Sequence, residues 1–177
     1  MQNFKSKITK FISIMGLVTL LSLITVGCSN RQNSTSQSDK ISIVTTTNVY
    51  SDIAKNIVGK YGTATAIIDK SSVDPHDFDP TTADAKKVAQ ANIVVANGLG
   101  YDSWMNKLAK SVDKKPVLVG EDLMGLKSGD NPHIWYNLDM PTKYVDYLVK
   151  RLSKLDKKHA AYFKENGEKY LAKIDKI

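Results

Sequence analysis

The sequence predicts an α/β fold: a parallel sheet flanked by helices, followed by a long linker helix. Three observations carry that prediction. Short β-branched runs alternate with helical runs from Ile41 onward. The strand-like runs are apolar on both sides, as strands covered on two faces require. From Pro141 the apolar residues recur at helical spacing and no strand interrupts them.

Residues 1–27 read as a lipoprotein signal peptide. Lys5, Lys7 and Lys10 form a basic start, and Phe11 to Val26 is almost wholly apolar. That run of roughly 16 residues is short for a spanning helix, which needs about 20. Cys28 is the only cysteine and stands where a lipoprotein signal would be cut and acylated. With no second cysteine, an internal disulfide and a Cys-ligated zinc finger are excluded. Residues 28–40 are rich in Ser, Asn, Gln and Thr without a large apolar side chain, the composition of a flexible tether. The formal charge of +7 falls to +4 once the three signal lysines are removed. The remaining excess is scattered, with no basic-aromatic cluster, so no nucleic-acid partner is expected.

Residues 41–138 read as one α/β lobe. Ile41 to Thr46 is a buried strand, and Asn48 is placed to cap a helix carrying Val49, Ile53 and Ile57, stopped near Gly59. Thr63 to Ile68 is a second strand, and Thr81 or Thr82 caps a helix through Ala89. Ala91 to Ala96 is a third strand, closed by Asn97-Gly98; Tyr101 to Ala109 is helical with Trp104 and Leu108 inward. Pro116 to Val119 is a fourth strand, and a polar turn then leads on to His133. Residues 139–177 read as helices, with Tyr144, Val145, Leu148, Leu152 and Leu155 on one stripe, then Tyr162, Phe163, Tyr170, Leu171 and Ile174 on another. Such stripes need a surface to bury against. Either they fold back on the lobe, or a further domain covers them.

The chemistry concentrates in Asp74-Pro75-His76-Asp77-Phe78-Asp79-Pro80 and Asn131-Pro132-His133-Ile134-Trp135. Two of the three histidines follow a proline in loops after strand-like runs. Proline fixes its own φ and keeps its predecessor extended, so each imidazole stands on a stiff stem. Two neutral imidazoles aimed at one point suit Zn, Mn or Fe. Asp74, Asp77 and Asp79 around His76 could each be a ligand, an acceptor for its second ring nitrogen, or loop solvation. Ile134-Trp135-Tyr136 reads as an aromatic shield beside His133, and His159, next to Lys157 and Lys158, as a solvated residue. There is no Gly-x-Ser-x-Gly elbow, no His-Glu-x-x-His helix and no nucleophile beside a base, so an enzyme is not expected.

These residues resemble the metal-binding solute receptors of bacterial zinc/manganese ABC importers, a group with adhesin-like lipoproteins. The resemblance runs through Val26-Gly27-Cys28, the first strand, Asp74-Pro75-His76 with Pro80, Val94 to Gly100, and Asn131-Pro132-His133-Ile134-Trp135. It implies a two-lobed receptor with the metal in the cleft, the chain here giving the first lobe. His76 and His133 match the two histidines of that lobe, and the run from His159 resembles the start of the inter-lobe helix. Asn131 stands where the family has an aspartate. The family's third ligand, histidine or glutamate, and its fourth, aspartate, come from a second lobe that this chain does not reach. The His-rich loop of some zinc-specific members, which would precede Asn131, is also missing. Implied, then, is a receptor that captures Zn or Mn and passes it to an ABC permease. It would be monomeric, lipid-anchored through Cys28 on the outer face of the cytoplasmic membrane, and shorter than the family pattern. The alternative is a surface adhesion lipoprotein whose metal is structural. Affinity should fall below about pH 6.5, where imidazoles protonate.

Overall fold

The computed structural model describes residues 40–176. The expected signal peptide, Cys28 and all of the expected tether except Lys40 lie outside the described residues. Strands β1 (Ile41–Thr47), β2 (Gly62–Ile68), β3 (Ile93–Ala96) and β4 (Val117–Leu118) form one sheet in the order β2-β1-β3-β4. Every pair is parallel, with Val44 opposite Thr65 on one side and Val94 on the other. Helices α1 (Asn48–Val58), α2 (Thr82–Gln90), α3 (Ser103–Ser111), α4 (Met140–Leu155) and α5 (Ala160–Ile174) complete the described chain.

Successive strand residues point to opposite faces, and the two cores divide accordingly. Ile41, Ile43, Ile93 and Val95 pack with Tyr50, Ile57, Tyr144, Leu148 and Phe163, from α1, α4 and α5. Val44, Val94 and Ala96 pack with Val88, Trp104, Met105 and Leu108, from α2 and α3. A fully buried aliphatic or aromatic side chain contributes about 1.5–3 kcal/mol. Two such faces fix the sheet although β4 has only two residues.

Local chemistry moved several expected boundaries. Asn48 does not cap α1: the helix follows β1 without a loop, and the extended residue before it is Thr47. The buried face is Tyr50, Ile53, Ala54 and Ile57, with Val49 only partly covered. Gly59 does stop the helix, at φ 51°, where a Cβ would strike the Tyr162 hydroxyl. Thr81 is the cap of α2 in a reciprocal box: Asp84 N–H donates to its Oγ1, and its own N–H donates to Asp84 Oδ2. The third strand starts at Ile93, because Asn92 uses its side-chain Oδ1 to accept the Ser42 N–H at 2.8 Å. The fourth ends at Leu118, whose N–H turns to Asp122 Oδ2 at 2.9 Å as a wide helical turn, Val119–Leu123, begins. Helix α3 starts at Ser103, not Tyr101, because the Asp102 carboxylate bonds back to the preceding turn.

Helices α4 and α5 fold back on α1. Phe163 is fully buried, Asn166 Nδ2 donates to Ile57 O at 3.0 Å, and Gly167 admits the Val149 and Val145 methyls. Leu155, expected on the buried stripe, is 41% exposed at the helix end. His159 corrects the sequence reading more sharply. It is partly covered, its ring stacked on Tyr61 at 3.6 Å and its Nδ1 2.6 Å from Asp156 Oδ2. The flanking lysines are exposed, but Tyr61, far away in sequence, covers the imidazole.

Candidate metal centre

Parallel crossovers place the loops after β2, β3 and β4 at one edge, the carboxyl edge of the sheet. The loop after β2 carries His76 and the turn after β3 carries Tyr101. The segment after β4 carries His133, just before a single 3₁₀ turn, Ile134–Tyr136. Both imidazoles lie edge-on to the Tyr101 ring, His76 with centroids 4.8 Å apart and His133 at 6.1 Å. Trp135 stands 5.2 Å from His133 and 5.1 Å from Tyr101. Both histidines are exposed to solvent. Trp135 is partly covered, but Tyr136 is 81% exposed, so of the expected aromatic shield only the Trp135 ring stands against His133, and the histidines stay open to solvent.

The two loops are built alike. His133 N–H donates to Asn131 Oδ1 at 3.0 Å, and His76 N–H donates to Asp74 Oδ1 at 2.9 Å. Asn131 Oδ1 also lies 2.7 Å from His133 Nδ1. A carboxamide oxygen only accepts, so Nδ1 carries the proton in this contact, and in the neutral ring the lone pair is then on Nε2. Asp74 therefore orients the loop backbone, while Asp77 and Asp79 are exposed. Among the described residues no cluster of three or more His, Cys, Asp or Glu side chains is placed to hold a metal ion.

Beneath the histidines the turn after β3 is held by a buried carboxylate. Asp102 Oδ2 accepts Asn97 N–H at 2.6 Å and Oδ1 accepts Gly98 N–H at 2.9 Å. Burial raises its pKa, the negative Glu121 adds to that, and the amide bonds only partly offset them. Glu121 Oε1 accepts Leu99 N–H at 2.9 Å, which stabilises the left-handed run Gly98, Leu99 and Gly100 at φ 82°, 55° and 83°. Burial, Asp102 and Asp74 together raise the Tyr101 pKa, which favours the neutral hydroxyl. Sequence reasoning singled out the two histidines but not Tyr101, Asp102 or the orienting role of Asn131. A polar residue two positions before each Pro-His histidine was the available signal.

The described chain is thus a wholly parallel α/β lobe with both Pro-His loops gathered at the carboxyl edge of its sheet, the edge where such sheets hold ligands. Residues 43–177 match the family described as ZnuA, zinc-uptake complex component A, periplasmic, and the chain belongs to that family. It is 31% identical over 180 residues to the metal ABC transporter substrate-binding lipoprotein SsaB of Streptococcus sanguinis, covering 93% of this chain and 58% of the relative. With the manganese ABC transporter substrate-binding lipoprotein PsaA of Streptococcus pneumoniae it shares 31% over 183 residues, 95% of this chain and 59% of the relative. Among solved structures, the periplasmic metal binding protein of Candidatus Liberibacter asiaticus superposes with a TM-score of 0.67 at 26% identity, over 76% of this chain and 53% of that one. The metal-dependent lipoprotein YcdH of Bacillus subtilis gives 0.68 at 27%, over 77% and 53%. The chain thus spans 58% and 59% of the length of these two curated relatives.

Proposed function

We propose that this chain binds a divalent transition metal, Zn or Mn, through His76 and His133, for delivery to an ABC permease. The carrying observation is that two Pro-His imidazoles from separate loops flank the single ring of Tyr101 at the sheet's carboxyl edge. The Nδ1 contact of His133 with Asn131 is the outer bond that orients a metal-ligating imidazole. Relatives named for metal and manganese transport support the cargo, and a Mn-bound structure of the Liberibacter protein supports the metal class. Two nitrogens leave the remaining coordination positions to water or to donors outside the described residues. The polypeptide acts by binding, not by catalysis. We read it as a monomer held through Cys28 at the outer face of the cytoplasmic membrane. The adhesion reading rests on the same anchor and tether and gains no separate feature from the fold.

The test is competition for Zn and Mn against a chromophoric chelator, for the protein and for His76→Ala and His133→Ala. Saturable binding lost in both variants supports the assignment. Equal binding in all three moves the metal elsewhere.

A further inference from the structure

We infer that Trp104 and Asn97 are positioning residues, each fixing one histidine by donating a side-chain N–H to the carbonyl of the proline before it. The inference rests on the reading of His76 and His133 as ligands and concerns how the protein aims them. Trp104 Nε1 donates to Pro75 O at 2.9 Å. Asn97 Nδ2 donates to Pro132 O, also at 2.9 Å. The accepting atoms are equivalent: in each loop it is the carbonyl of the peptide that joins proline to histidine. The donors come from unrelated places, one from α3 on one face of the sheet, the other from the end of β3.

Each donor is itself fixed. Trp104 is 8% exposed, with the Phe78 ring 4.7 Å away, so the indole cannot turn its N–H elsewhere. Asn97 is fully buried. The Pro132 and Gly98 carbonyls can only accept, which settles that the Nδ2 end of the amide faces them, and the Tyr50 hydroxyl donates to Oδ1 at the other end. The amide's other N–H donates to Gly98 O at 3.1 Å. Burial and the charge of Asp102 keep the Tyr50 hydroxyl protonated, so it remains a donor.

With the Asx contacts already described, each Pro-His unit is held at three points. Proline restricts φ, the Asp74 or Asn131 oxygen takes the histidine N–H, and a buried donor takes the prolyl carbonyl. Only side-chain torsions are then left to each imidazole. A loop stabilised for its own sake has no need of the same carbonyl contact twice. Two loops that must hold nitrogens in a common geometry do, because a ligand displaced by about 1 Å no longer meets the metal-ligand distance.

The test uses Trp104→Phe, which keeps a ring against Phe78 and deletes only the N–H, and Asn97→Leu, with Asn97→Ser as the second choice if the leucine variant does not fold. The first readout is metal-free: histidine ring resonances by nitrogen-proton NMR, assigned with the His→Ala variants. Trp104→Phe should move the His76 ring signals and leave those of His133, and the Asn97 variant should do the reverse. The second readout is Zn affinity by chelator competition, expected to fall about 10–100-fold in each variant. Tyr50→Phe should move His133 in the same direction by a smaller amount. Ring signals that stay put in both variants, or that shift together for both histidines, overturn the inference. If the ring signals cross over as expected but His76→Ala and His133→Ala keep full metal affinity, the positioning stands and the metal assignment fails.

Discussion

Asn131 shows how much one side chain decides at this site. Its single oxygen meets both the backbone N–H and the Nδ1 of His133, which sets the loop turn and the tautomer together. Asn131→Ala should weaken Zn binding about 10–100-fold, the usual cost of losing an outer partner of a metal-bound histidine. Asn131→Asp should tighten it, because a carboxylate makes the imidazole a stronger donor to metal. Chelator competition reads both; an alanine variant with unchanged affinity would show that the Nδ1 contact does not matter to binding. The histidines were legible in the sequence because proline marks them. Tyr101 was not, since its place beside both rings depends on the turn that Asp102 and Glu121 shape across 24 residues of chain from Gly98 to Glu121.

At the scale of elements, caps and packed faces set the stability. Thr81→Ala removes the α2 cap and should cost about 1 kcal/mol, measured by the urea midpoint. Asp84 works in the same box. Burial alone would raise its pKa, but the Thr81 hydroxyl, the Thr81 backbone N–H and Lys87 outweigh that and leave it lowered. A lowered carboxylate stabilises the fold at pH above its unfolded value near 3.8 and loses that contribution as pH falls through its folded value. Asp84→Asn should therefore flatten the acid limb of the stability curve, with its largest deficit against the parent protein near neutral pH. A deficit that persists undiminished at the acid end would contradict the assignment. Phe163→Ala should cost about 3–5 kcal/mol, because the ring is completely enclosed between α5 and the first core. Long, strongly patterned elements such as β1, α4 and α5 could be read from the sequence. β4 could be placed but not measured, since the Leu118 N–H donates to the Asp122 side chain and the strand ends after two residues. His159 was misread because its local neighbours are lysines while its real contact, Tyr61, is remote in sequence.

Across the whole lobe, the parallel order β2-β1-β3-β4 is what gathers the candidate site. It sends the turns after β2, β3 and β4 to one edge, so groups far apart in the chain become neighbours around Tyr101. Under the proposed assignment, two imidazoles with open positions would bind a divalent metal in the Irving–Williams order, Zn ahead of Mn, since nothing in a two-nitrogen set favours the harder ion. Isothermal titration calorimetry of the purified protein with Zn and with Mn, beside His76→Ala and His133→Ala, tests the central claim most directly. The expected result is one saturable site, tighter for Zn than for Mn, lost with either histidine. Binding that survives both substitutions with unchanged affinity would contradict it.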